Sequence, residues 1–129
     1  MTILGNGVDI VDNKRIEKAI KRNKKFIYKV FSTNEIKNSK KKYNKTNYFA
    51  KRFAAKEAFL KALGTGVSNG ISLKDISVKN NKYGKPSIII NDKLKQYIMR
   101  KFKTKNIKIF LSLSDEKENS IAFVIINKK

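Results

Sequence analysis

From Thr46 to Leu63 the chain runs without Gly or Pro, is dense in Ala, Lys, Phe and Leu, and then meets Gly64 and Gly66. Strong helix formers followed by a glycine stop predict one long helix, and the rest of the fold has to be arranged around it. At roughly 100° per residue, Phe49, Phe53, Leu60 and Leu63 form one stripe, and Ala50, Ala54, Glu57 and Lys61 form the adjoining face. Small residues there admit another element or a ligand at close range. Glu57 and Lys61 stand at i,i+4, a spacing that in isolation describes an ordinary exposed pair worth a few tenths of a kcal/mol.

The flanking segments supply partners for such a helix. Ile3 to Val11 is apolar and β-branched, with Gly5 and Gly7 inside it, which predicts a strand with a close backbone approach. Asp12 or Asn13 can cap a helix carrying Ile16, Ala19 and Ile20, and a short helical segment with Phe26, Ile27 and Val30 follows. Ser32-Thr33-Asn34-Glu35 has the form of a capping box that starts a third helix, which decays into a polar, mobile connection over Asn38 to Asn47. Beyond the long helix, the pattern predicts a strand (Ile71 to Lys79), a turn (Asn80 to Pro86), a strand (Ser87 to Ile90) and a helix (Asn91 to Lys103). Two further strands close the chain, Ile107 to Ser114 and Ser120 to Asn127, separated by a turn. Two hairpins and several helices make an α+β fold, an antiparallel sheet packed by helices with one long central helix, in a single domain spanning 1–129.

Composition narrows the chemistry. Without Cys or His, the chain has no thiol nucleophile, imidazole base, disulfide or ordinary zinc site, so any metal must be hard and oxygen-bound. Its 31 Lys and Arg against 10 Asp and Glu give a net charge of +21, which attracts phosphates, nucleic acid, acidic proteins or anionic membranes. Part of that excess reflects a Lys-, Asn- and Ile-rich composition of the AT-rich kind. No apolar run has the length of a membrane span or secretory leader, so a soluble, cytoplasmic protein without membrane contact is expected, or an organellar one if a transit segment was removed.

Among the acids, Asp9 stands out because it lies between Val8 and Ile10 in a core-like strand, where burial costs several kcal/mol unless the carboxylate is paired or metal-bound. Three stretches carry a wider pattern: Gly5-x-Gly7-Val8-Asp9-Ile10-Val11, then Arg52-Phe53-Ala54-Ala55-Lys56-Glu57-Ala58-Phe59-x-Lys61-Ala62-Leu63-Gly64-Thr65-Gly66, then Gly84-Lys85-Pro86. In order and spacing they resemble the holo-acyl-carrier-protein synthase family of short, trimeric 4'-phosphopantetheinyl transferases, over nearly the whole chain.

The resemblance implies the phosphopantetheinyl transferase fold, a homotrimer with sites between neighbouring subunits, and transfer of phosphopantetheine from coenzyme A to a serine of an acyl carrier protein in fatty-acid synthesis. It implies Mg2+ held by Asp9 and Glu57, with Glu57 and Lys61 in catalytic roles. Coenzyme A would meet Arg52, Lys61, Gly64 and the Gly84-Lys85-Pro86 turn. Read locally, that turn is also a serviceable hairpin loop, and Gly64-Thr65-Gly66 a helix stop. One departure concerns Asp115, which follows Ser112-Leu113-Ser114 where the family usually carries His; an ionised Asp cannot meet a phosphate as His can.

Lys14 to Lys29 contains eight basic residues and Glu17 as its only acid. The resemblance assigns Arg15, Arg22, Lys25 and Lys29 to contact with the acidic helix of the carrier protein, where complementary charge speeds docking. A small basic nucleic-acid-binding protein is the reading from another class, since it accounts for the charge, but it leaves the motifs unused and Phe49, Phe53 and Phe59 sit at core-like positions.

Overall fold

The computed structural model describes residues 2–67 and 70–129. The strand β1 (Thr2–Asp12) leads into three short helices, α1 (Asn13–Arg22), α2 (Lys25–Val30) and α3 (Thr33–Ser39), and then into the long α4 (Lys45–Leu63). The hairpin of β2 (Ile76–Asn80) and β3 (Pro86–Ile90) follows, then α5 (Asp92–Phe102) and the hairpin of β4 (Ile107–Asp115) and β5 (Asn119–Lys128). Antiparallel pairing is divided between a three-stranded sheet in the order β1-β5-β4 and the separate pair β2-β3.

Helix ends form where the sequence offers caps. Asp12 accepts from the Lys14 amide at 2.9 Å, and Ser32 and Glu35 complete their capping box in both directions. Asn44 starts α4 by accepting from the Asn47 amide, and Gly64 ends it in the left-handed region at φ 78°. One expectation is corrected: Ile71 to Asp75 is not strand. Ser72 and Asp75 form a second reciprocal cap that closes a 3-10 turn over Leu73–Asp75, so the strand begins only at Ile76. The β-branched residues suggested a ladder, but the local side-chain bonds satisfied those backbone groups first.

α4 is buried almost all round, with Phe59 and Ala54 fully enclosed and Phe49 and Leu60 nearly so. That explains its Ala content: neighbouring elements approach on several sides, so a single apolar stripe would not suffice. β1 comes closest. A Cβ placed on Gly5 would stand 2.0 Å from the carbonyl oxygen of Ala62, and one on Gly7 would stand 2.0 Å from that of Ala58. The strand therefore lies on the helix backbone itself.

Strand alternation then decides which β1 side chains reach α4. Gly7, Asp9 and Val11 pair with Val124, Ala122 and Ser120 of β5, all on the helix side. Val8 and Ile10 pair with Phe123 and Ile121 on the opposite face, where all four remain exposed.

Candidate functional site

The glycine contact delivers Asp9 to the side of α4 near its C-terminal half. Lys61 donates to Asp9 Oδ1 at 3.1 Å and to the Val8 carbonyl at 3.0 Å. The i,i+4 spacing had suggested Glu57 as the ion-pair partner of Lys61, but the pair that forms is with Asp9. Glu57 is half-buried. Burial raises its carboxyl above the usual range, the charge of Asp9 adds to that rise, and Lys61 and then Arg15 oppose it.

Two carboxylates from different elements thus share one electrostatic site with one lysine. Among the described residues no group of three or more metal-ligating acids occurs. The donor set fits a cation such as Mg2+, which commonly takes one or two protein carboxylates and fills its shell with water and substrate phosphate. The Lys61 ammonium on Asp9 marks where positive charge is already accommodated.

A second constellation lies farther toward the N-terminus of α4. Arg52 is 6 % exposed, with its guanidinium 3.6 Å above the Tyr48 ring and hydrogen bonds to the Tyr48 carbonyl and to Asn80 Oδ1. Its Nε is buried without a partner, and among the described residues Arg52 makes no ion pair. Burial pushes its pKa below the usual arginine value. A buried cation with spare donor capacity and no carboxylate is a receptor for an anion. It opens into a cleft of about 490 Å³ lined also by Lys42, Lys51, Asn80, Lys82 and Gly84.

The predicted turn residues flank this cleft. Gly84 has φ 85°, and its carbonyl accepts from Asn80 Nδ2 at 2.9 Å, so one asparagine joins the turn to Arg52. Asn81 satisfies the amides of Tyr83 and Lys85, and Pro86 opens β3. Gly84 is thus brought beside Arg52, whereas Gly64 stands at the far end of α4 as the helix cap. Sequence reading missed Asn80, which has no motif of its own and acquires meaning only when the hairpin folds back on α4.

Asp115, at the end of β4, reaches α4 instead of standing free. It accepts from Asn47 Nδ2 and lies 3.7 Å from Lys51 Nζ. Lys51 lines the Arg52 cleft, so part of that cleft's positive charge is already neutralised by Asp115.

Arg15, Arg22, Lys25 and Lys29 are all exposed on α1 and α2, and among the described residues none of them makes an ion pair. The charge of Arg15 also acts on Glu57, which ties the basic surface to the carboxylate pair. The only ion pair within these helices is Lys21 to Glu17, among the described residues.

A family model described as the 4'-phosphopantetheinyl transferase superfamily matches residues 5–123. The holo-[acyl-carrier-protein] synthase of Pelagibacter ubique (strain HTCC1062) is 53% identical over 129 residues, covering 100% of both chains. The crystal structure of the holo-[acyl-carrier-protein] synthase from Neisseria meningitidis matches with a TM-score of 0.87 at 34% identity, over 98% of this chain and 100% of that one. That of the Bacillus anthracis synthase in complex with CoA matches with a TM-score of 0.82 at 33% identity, over 100% of both. With its glycine-seated Asp9 and the full-length agreement in sequence and fold, the chain belongs to the 4'-phosphopantetheinyl transferase superfamily, in its holo-[acyl-carrier-protein] synthase branch.

Proposed function

We propose that this protein transfers the 4'-phosphopantetheine group of coenzyme A to a serine of an apo acyl carrier protein, releasing adenosine 3',5'-bisphosphate. The observation that carries this reading is the arrangement along α4: a carboxylate pair with Lys61 at one position, and a buried guanidinium without an acid partner at another. Coenzyme A has anionic groups at two separated places, a diphosphate and a 3'-phosphate, and these suit the two positions. Full-length relatives named as synthases, one solved with CoA, support the same assignment.

In this reading the serine oxygen forms a bond to the β-phosphorus, the bond from that phosphorus to the bridging diphosphate oxygen breaks, and adenosine 3',5'-bisphosphate leaves. Glu57, directly or through a water, takes the serine proton, a role suited to a carboxyl held above its ordinary range. Lys61 holds Asp9 in place and faces the charge that grows on the phosphoryl oxygens. Asp9 and Glu57 would hold Mg2+, which when bound supplies charge neutralisation to the diphosphate. Arg52, with the Gly84-Lys85-Pro86 edge, holds the nucleotide end, and Arg15, Arg22, Lys25 and Lys29 receive the acidic carrier. A cytoplasmic role in fatty-acid synthesis accords with these substrates.

The direct test incubates the protein with coenzyme A, Mg2+ and an apo carrier and weighs the carrier for the phosphopantetheine increment. Absence of the increment on several carriers, with tight salt-sensitive RNA binding in its place, overturns the proposal. Phe49 and Phe59 lie in the core, so neither is open to a base in the nucleic-acid reading.

The exposed sheet face supports assembly into a homotrimer with sites at subunit borders. Val8, Ile10, Phe110, Ile121 and Phe123 are 39–62% exposed on one surface of the sheet, and an apolar face of this kind marks an interface. Val8 and Ile10 neighbour Asp9 along β1 but point to the opposite face, so a copy seated there packs against the back of the strand that carries Asp9. Phe123→Lys is expected to shift the mass in solution from trimer to monomer and to abolish most transfer, read by light scattering and the carrier assay. A wild-type monomer, or a trimer that survives the substitution, removes this part of the reading.

Asp115 gives a test of the nucleotide end. Asp115→Asn releases Lys51 from its ion pair, and the KM for coenzyme A is expected to fall by about threefold, an effect of the size a part-exposed pair can exert. An unchanged or higher KM would show that Lys51 does not serve the cleft.

A further inference from the structure

Lys56 precedes Glu57 in sequence but points away from solvent entirely, with 0 % exposure. Its three N–H donors meet three acceptors: Glu35 Oε1 at 2.7 Å, the Leu73 carbonyl at 3.1 Å and the Ile76 carbonyl. Glu35, 1 % exposed, also accepts from the amides of Ser32 and Val78, each at 2.9 Å. No capacity of the ammonium is left over for a ligand.

Stability alone is a weak reason for such a pair, because a well-packed apolar pair of similar volume often does as well or better. What differs is direction. Apolar contacts tolerate sliding, whereas an ammonium bonded to two named carbonyls and a carboxylate bonded to a named amide fix one register. The strand so fixed is β2, through Ile76 and Val78.

Two residues beyond Val78 is Asn80, which bridges Arg52 to the Gly84 carbonyl. Arg52 and Lys56 stand at i,i+4 on α4, so the helix grips the same strand twice, once inside the core and once at the cleft. The outer grip uses one Arg52 donor to hold the guanidinium against Asn80 and leaves its Nε unpartnered.

We infer that the buried Lys56–Glu35 pair is a positioning device for the coenzyme, holding β2 in the one register on α4 that sets Asn80 and Gly84 beside Arg52. The identity of the ligand rests on the function proposed above; the register itself does not.

Lys56→Met is combined with Glu35→Gln so that neither charge is left buried alone, and Glu35→Gln, which keeps an oxygen acceptor for the Lys56 ammonium, is also made alone. Ile98→Val, a buried site on α5, serves as a destabilised control. Adenosine 3',5'-bisphosphate is titrated calorimetrically, KM is measured for coenzyme A and for the carrier, and hydrogen exchange is followed at Val78 to Asn80.

Both pair variants are expected to weaken bisphosphate binding and raise the coenzyme A KM by about tenfold, a factor of 10 in the dissociation constant. The carrier KM should stay within about twofold of wild type, and β2 amides should lose protection in the pair variants but not in the control. Wild-type binding and protection in both folded variants overturns the inference, as does an equal loss in Ile98→Val. Failure of both to fold makes the pair a stability element and overturns it too. If wild type itself binds no bisphosphate, the proposed function fails at its coenzyme end, and loss of β2 protection then separates that failure from failure of the clamp.

Discussion

Glu57→Gln is expected to lower turnover about a thousandfold, the scale of losing one preorganised electrostatic group, while making the folded protein harder to melt at neutral pH. The two effects share a cause. Burial, and then the charge of Asp9, hold the Glu57 carboxyl above its ordinary value, with Lys61 and Arg15 compensating only in part. Unfolded Glu57 ionises at the ordinary value, so the folded state retains the proton over a window above it. Below that window the group is neutral in both states and nothing is lost. As pH rises through the folded value, the native state carries a charge it disfavours, and the penalty is complete above.

Gln carries no charge and escapes the penalty, so the difference in Tm between variant and wild type should be near zero at about pH 4 and fully developed at about pH 8. Added Mg2+ should raise the wild-type Tm by mass action and leave that of the variant nearly unchanged. Asp9→Ala should match the loss of turnover. Turnover within about tenfold of wild type for Glu57→Gln, or a Tm difference indifferent to pH, would show that Glu57 is neither strained nor catalytic.

How far the sequence foretold the site depends on how local each signal was. The long helix, its glycine stop and the strand with a close approach were legible because each is written within a few consecutive residues. Asp9 was conspicuous because an acid among apolar strand residues needs an explanation. The partner of Lys61 was not legible, since helical spacing nominates Glu57 while the residue that meets it lies 52 positions earlier. Only the packing of β1 on α4 brings them together.

Lys56 and Glu35 show the same limit from another side. The S-x-x-E pattern disclosed the helix cap, and that reading holds, but a lysine in a helix reads as exposed until β2 is seen beside it. The residues Ile71 to Asp75 failed for the opposite reason: the apolar Ile71 and Leu73 suit a strand, yet Ser72 and Asp75 satisfy the backbone locally. Asn80 and Asp115 acquire roles only through tertiary contacts with Arg52, Asn47 and Lys51.

The largest loss of stability from one methyl group is expected at Gly7→Ala. The added Cβ would stand 2.0 Å from the Ala58 carbonyl oxygen and 2.7 Å from the Ala62 amide nitrogen, both backbone atoms of a buried helix. Neither can yield as a side chain would. Relief requires β1 to move off α4 by more than about 1 Å, which opens space beneath Ala122 and Val124, and the cost should reach about 3–5 kcal/mol. A domain of this size holds only about 5–15 kcal/mol in total, so Gly7→Ala should melt far below wild type or fail to accumulate. Gly66→Ala is the contrast: nothing lies within 4 Å of its added Cβ, and only its φ of 65° opposes the change. That should cost about 1–2 kcal/mol. Ala58→Gly should not rescue Gly7→Ala, because the clash is with the Ala58 carbonyl and not with its methyl group. Recovery of stability in that double variant would mean that side chains set the spacing between strand and helix. Its absence, together with a loss of turnover in whatever Gly7→Ala remains folded, would mean that the helix backbone itself is the surface on which Asp9 is seated.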